Sequence, residues 1–276
     1  PAVPTWVHKI DITSEEDKPN GFTFNNDGTK MFIIGHTEDE VIEYTLSTAW
    51  NVSTYSLVDS FSTKSESGYS RDVKFSQDGT KMFVLGGSAN GDEDGLDSVC
   101  EYTLSTGFDV SSTVTFIDCK SVDPVGEAEE LGFNQDGTKM FVLDQTGNDV
   151  NEFKLTTGFD ISTASYVQTF SVDTQEDDPT GLIFTYDGTT MFVTGWTGDD
   201  INEYTLSTAF DVSTASFVDS FYMTDGSYGI RETYPTSLAF SSDGSKLFTL
   251  GREWDEVQEW TLSCYYGVVN CMDPTS

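Results

Sequence analysis

One hexapeptide dominates the chain. DGTKMF stands at residues 27–32, 78–83 and 136–141, and DGTTMF and DGSKLF follow at 187–192 and 243–248. The turn aspartates at 27, 78, 136, 187 and 243 are 51, 58, 51 and 56 residues apart, and self-similarity at that period means stacked supersecondary units that bury their faces on one another. Each unit reads as up to four strands. In the fourth, GLIFTY leads into Asp187-Gly188, where glycine supplies the positive φ that a tight hairpin demands; MFVTG, the loop WTGDD, INEYTL, the connector STAFDVSTAS and FVDSF follow. Apolar residues lie on both alternating faces, as with Val41 against Tyr44 and Leu46. Strands of this kind are covered on both sides.

The two ends of the repeat say how the units close. WVHKIDITSEEDKPNGFTF (6–24) aligns without gaps with YVQTFSVDTQEDDPTGLIF (166–184), so the chain opens on a fourth strand that has no unit of its own. The fifth unit runs to EWTLS (259–263) and stops before a fourth strand, after which CYYGVVNC replaces the usual connector. The expected fold is therefore all-β: a single-domain, five-bladed β-propeller of four-stranded antiparallel blades, its ring closed by the N-terminal strand 6–12 so that no sheet edge is left open. Blades are expected at about 13–61, 62–120, 121–170, 171–221 and 222–263, with a tail at 264–276. The hairpins NNDGTKMF, SQDGTKMF and NQDGTKMF resemble the SPDG-like turn of many β-propellers, and with EYTLSTAFDVSTASFV they are similar to a repeat of marine bacterial and bacteriophage-encoded propeller proteins. That resemblance spans nearly the whole chain and implies a cell-surface or virion-associated binding module; it supplies no catalytic residues.

Charge narrows the partners. Forty-seven acidic residues against 13 basic ones give a formal net charge of −34, which repels a polyanion and sets nucleic acid aside. No window approaches the roughly 18 apolar residues that cross a bilayer as a helix, and membrane insertion is not expected. Opening on Pro1, the chain reads as processed or trimmed. Cys100 with Cys119 and Cys264 with Cys271 lack zinc or thioredoxin spacing and are expected to form two disulfides in an oxidising, extracellular compartment; four free thiols are the alternative.

Function is expected where the repeat breaks. The inter-blade loops ITSEEDKP, STKSESGYSRD, KSVDPVGEAEE, SVDTQEDDP and YMTDGSYGIRETYP differ in length and content, and all three arginines, Arg71, Arg231 and Arg252, fall on this loop face. Arginine forks suit carboxylates, either on a ligand or on neighbours such as Asp72 or Glu232. Trp196 and Trp254 occupy loops between second and third strands, and Tyr69, Tyr228 and Tyr234 lie between blades, where rings can stack on sugars or anchor an interface. Trp196 shares its repeat position with His36, Gln145 and Arg252. Trp50, Phe108, Phe159 and Phe210 recur at one position and read as core. In unit two, NGDEDGLDSVCE nearly satisfies a calcium-loop pattern, with Asn90, Asp92, Asp94 and Glu101 as candidate Ca2+ ligands. Yet Glu101 also belongs to a glutamate repeated as Glu43, Glu152, Glu203 and Glu259. The aspartates before the third strands (Asp39, Asp97, Asp199, Asp255) read as turn residues that bond to amides two positions on.

Three functions remain open. The first is a non-enzymatic extracellular or virion-associated module that binds a glycan or surface protein through the loop face, with or without calcium. The second is a glycoside hydrolase or lyase, which for hydrolysis needs two carboxylates about 5–9 Å apart in an open funnel, candidates being Asp72, Glu129, Glu130 and Asp178. The third is a structural assembly propeller. His8 and His36 sit in different structural positions with no motif-borne nucleophile beside them, which disfavours a Ser-His-Asp arrangement.

Overall fold

The structure, a computed structural model, describes residues 4–88, 97–223 and 234–268. Strand β1 (Thr5–Asp11) stands alone at the start. Blade 1 follows as β2 (Pro19–Phe24), β3 (Lys30–Gly35), β4 (Glu40–Leu46) and β5 (Tyr55–Ser62), and blade 2 as β6 (Ser67–Phe75), β7 (Lys81–Ser88), β8 (Ser98–Leu104) and β9 (Val114–Ser121). Blade 3 holds β10 (Ala128–Phe133), β11 (Lys139–Asp144), β12 (Asp149–Leu155) and β13 (Ala164–Ser171); blade 4 holds β14 (Pro179–Phe184), β15 (Thr190–Gly195), β16 (Asp200–Leu206) and β17 (Ala215–Tyr222). Blade 5 contributes only β18 (Pro235–Phe240), β19 (Lys246–Gly251) and β20 (Glu256–Thr261), and β1 supplies its outer strand, in the order β1-β20-β19-β18. Trp6 opposes Trp260 and His8 opposes Glu259 across this closure. The five-bladed ring and its closure are as the repeat predicts.

The hexapeptide is a seam between blades, written into one hairpin. Asp27 Oδ1 accepts Thr29 N at 3.0 Å, and Gly28 takes φ +69° under the ring of Trp50, which a Cβ there would meet at 2.2 Å. Lys30 Nζ reaches Glu43 Oε1 of its own blade at 2.6 Å and the Phe108 carbonyl of the next blade at 2.6 Å, while Glu43 Oε2 accepts Val110 N at 2.8 Å. Lys81, Lys139 and Lys246 repeat the clasp with Glu101, Glu152 and Glu259, the last gripping the Trp50 carbonyl and so returning to blade 1. Met31 and Phe32, adjacent on a strand, point to opposite sides. Met31 joins a core with Phe248 of blade 5, and Phe32 one with Val73 and Met82 of blade 2. The fourth seam is different, since Thr190 stands where the others have lysine.

Disulfide Cys100–Cys119 ties β8 to β9 at directly opposed positions. Cys271, the expected partner of Cys264, lies outside the described residues, and none of the described cysteines is free. Asp39, Asp199 and Asp255 take the positive φ of turn residues, but Asp39 Oδ1 accepts Ser70 N, and Asp97 Oδ2 accepts Ala128 N, each on the next blade. In these two blades the expected bond two residues on is replaced by another inter-blade tie.

Candidate functional site

On the loop face, side chains from one repeat position converge. Trp196, Arg252 and His36 each follow the end of a second strand, in blades 4, 5 and 1, and the ring makes these blades neighbours. The Arg252 guanidinium lies 6.0 Å from the centre of the Trp196 ring, and Arg252 Nη2 is 3.3 Å from His36 Nε2. Tyr234 meets Trp196 edge-on at 5.6 Å, and Tyr69 stacks on His36 at 5.5 Å. A band Tyr234–Trp196–Arg252–His36–Tyr69 thus crosses from the entrance of blade 5 to that of blade 2. Trp196, Tyr234, Arg252 and Glu253 line a cleft of about 290 Å3.

Burial and charge set the state of this band's two nitrogen bases. Burial lowers the His36 pKa to about 4, and the charges of Arg252, Arg71 and Lys18 push the same way, so the imidazole is neutral near pH 7. Burial and Arg71 likewise oppose the charge on Arg252, though a guanidinium keeps its proton in a protein. Among the described residues no carboxylate lies within ion-pair distance of it. Arg71 is spent differently. Its guanidinium pairs with Glu127 at 3.0 Å and with Glu129, both in blade 3, rather than with the adjacent Asp72. The indole Nε1 of Trp196 is buried with no hydrogen-bond partner.

The remaining candidates separate. Trp254 is 53% exposed and does not line the cleft. Arg231, Tyr228, Asn90, Asp92 and Asp94 lie outside the described residues. Glu101, the twelfth position of the calcium-like loop, is buried against Lys81 at 2.7 Å and accepts Ile161 N, so it serves the repeat's clasp. Among the described residues no cluster of His, Cys, Asp and Glu has metal-holding geometry. His36 is the residue sequence reasoning passed over; its shared repeat position with Trp196 and Arg252 was the signal.

The funnel carboxylates are closed off. Asp72 of blade 2 and Glu130 of the adjacent blade 3 are both fully buried, and both bind Lys74 Nζ, at 2.8 and 2.6 Å. Ser237 Oγ donates to Glu130 at 3.1 Å, and Leu131 N to Asp72 at 2.9 Å. Burial, then the charge of Asp72, raises the Glu130 pKa well above the carboxylate range, with Lys74 opposing. Burial pushes Glu129 up to about 7 against the pull of Arg71. Asp178 is a half-buried loop residue whose pKa burial raises.

A second cavity, of about 260 Å3, opens on the turn face along the same axis. Phe24, Phe75, Phe133 and Phe184 wall it, with Phe108, Phe159 and Phe210 of the connectors. Those connector rings, expected as core, pack on the hairpin glycines and also line this cavity.

Comparison with known proteins bears on the fold. No family model matches the chain, and no curated protein matches it. Among solved structures, a luciferin-regenerating enzyme superposes with TM-score 0.55 at 13% identity, covering 94% of this chain and 95% of that one. A putative 6-phosphogluconolactonase from Bacteroides fragilis gives 0.54 at 12%, covering 88% and 80%. The β-propeller domain of Swd1 from Myceliophteria thermophila gives 0.51 at 10%, covering 94% and 100%. In another match the chain spans 62% of the other protein's length. Such likenesses establish a β-propeller and nothing of its chemistry.

Proposed function

We infer that the chain is a non-enzymatic recognition propeller that binds a glycan or a cell-surface or virion protein through its loop face, in an extracellular setting. The Trp196–Tyr234–Arg252 cleft carries this reading. A tryptophan with a guanidinium over its ring offers an aromatic surface and a forked donor, the pair that holds a sugar ring and its oxygens. Among the sugars, one bearing a carboxylate would best answer Arg252. The Cys100–Cys119 bridge fits an oxidising compartment, and the resemblance to surface and virion propellers points the same way. A hydrolase would need carboxylates open to substrate, whereas Asp72 and Glu130 are sealed on Lys74.

A glycan array probed with and without calcium tests the reading. Binding should weaken about tenfold or more in Trp196→Ala and Arg252→Gln, a loss of at least about 1.4 kcal/mol. Protein that binds no glycan on the array in either condition removes the sugar version, and calcium-dependent binding would bring the loop of Asn90, Asp92 and Asp94 into the site.

A further inference from the structure

At one place on the loop face, hydrogen-bond donors meet donors. Asn20, Thr180 and Thr236 share a repeat position, and each bonds to a carbonyl at one repeat position of the next blade: Asn20 Nδ2 to Ser70 at 3.2 Å, Thr180 Oγ1 to Pro235 at 2.6 Å and Thr236 Oγ1 to Pro19 at 3.4 Å. A hydroxyl has one hydrogen to give, and this tie uses it. An amide nitrogen has two, and Asn20 Nδ2 also lies 3.1 Å from His36 Nδ1. The tie to Ser70 fixes the amide, since turning it over would set oxygen against oxygen. His36 Nδ1 therefore accepts, and the ring hydrogen belongs on Nε2. Yet Nε2 lies 3.3 Å from Arg252 Nη2, itself a donor. Moving the hydrogen to Nδ1 transfers the conflict to Asn20, and protonating the ring creates it on both sides. In every state of the imidazole, one N–H faces a nitrogen that cannot accept it.

The arrangement is held from behind. Tyr69, stacked on His36 at 5.5 Å, takes φ +50°. The other non-glycine residues of positive φ among those described fall at two repeated positions, before the third strand or in the connector, and Tyr69 does not. Such a backbone is strained and persists only where its surroundings fix it. The neighbourhood is short of acceptors as well, since the indole Nε1 of Trp196 has no partner. A carboxylate answers that shortage: it donates nothing, offers two oxygens and matches the planar guanidinium fork. Glu253, which also lines the cleft, opposes a bare anion, whereas the hydroxyls of a sugar can donate to it. The formal charge of −34 repels anions at long range, but salt at about 0.15 M screens that beyond about 8 Å. Short contacts then decide.

We propose that Arg252 Nη2 and His36 Nε2 form a carboxylate subsite, so that the loop-face cleft selects acidic sugars, with a uronate-type ring against Trp196 and Tyr234 and its carboxylate bridging the two nitrogens. This inference rests on the loop-face reading and adds to it the pair that chooses the charge of the ligand.

Methyl β-D-glucuronide and methyl β-D-glucoside, which differ only in carrying a carboxylate or a hydroxymethyl group, are the probes, titrated into the intact chain by ligand-observed NMR. The glucuronide should bind more tightly by about tenfold, the worth of a hydrogen bond to a charged group. That preference should fall toward one in Arg252→Gln and in His36→Phe, which keeps a ring for Tyr69 to stack on; circular dichroism shows whether each variant folds. Trp196→Ala should weaken both sugars. A glucoside bound as tightly as the glucuronide overturns the subsite and leaves the recognition reading standing. Binding of neither sugar overturns it, as does a preference that survives in folded His36→Phe or folded Arg252→Gln. A glycan array with no binder of any kind removes the sugar reading itself, and the subsite with it.

Discussion

On the turn face, Lys30, Lys81, Lys139 and Lys246 occupy one repeat position and make the same two contacts, a glutamate in their own blade and a carbonyl in the next. On the loop face, His36, Gln145, Trp196 and Arg252 also occupy one repeat position, and no two are alike. Identical side chains at equivalent sites can only make a symmetric structure, and here that structure is the set of seams. Unlike side chains at equivalent sites make a surface with a handed pattern, which a ligand can read. Stability should therefore respond to the first set and recognition to the second.

The sharpest way to break that contrast is to remove one clasp. Glu152→Ala strands the Lys139 ammonium and takes the acceptor from Val212 N and from Gln168. Loss of one partner from a buried pair costs about 3 kcal/mol, and melting followed by circular dichroism should show a midpoint lower by roughly 5–10 °C. A midpoint that does not move would mean the clasps are ornament. Next in size is Gly188→Ala, which forces a side chain into φ +69° and against the Phe210 ring at 2.1 Å. About 2 kcal/mol should be lost, read as a lower denaturant midpoint with an unchanged slope.

The seam between blades 4 and 5 offers a gain instead of a loss. Thr190→Lys would restore the clasp opposite Glu203, and about 1 kcal/mol of added stability is expected, a rise of roughly 2–4 °C. No rise would show that the altered connector of blade 5 has already compensated. The smallest effect concerns pH at the loop face. His36 has its pKa lowered in the fold, to about 4, against an unfolded value near 6.5. The unfolded chain then binds more protons between those values, so stability falls as pH drops from 6.5 to 4. His36→Gln should flatten that part of the stability curve, measured by urea unfolding across the range, and an unchanged slope would assign it to other groups.

Much of this was readable in the letters. A period of 51–58 residues and a gapless match between 6–24 and 166–184 fixed blade number and closure, because strand alternation and hairpin chemistry are local. Cys100 opposite Cys119 followed from the same register. The meeting of Arg252 with His36 did not, since it depends on which blades the ring makes neighbours and how far each loop leans inward. Arg71 was read with Asp72 beside it in sequence, yet adjacent strand residues point apart, and its partners came from blade 3. The turn-face cavity was missed for another reason. Repetition reads as scaffold, yet the repeated phenylalanines of blades 1 to 4 also leave a hole whose size no single repeat reveals.

The closing blade has a kinetic consequence. Thr5 pairs with Thr261 and Asp11 with Glu256, almost the greatest sequence separation the chain allows, whereas every other blade is built from strands close in sequence. Long-range pairings form slowly because chain entropy must be lost before contacts reward it. Four blades can therefore assemble in order as the chain lengthens, with Trp260 exposed on an unfinished sheet until the first strand returns to cover it. Refolding should accordingly show a late phase in which Trp6 and Trp260 become buried together, after the other sheets have formed.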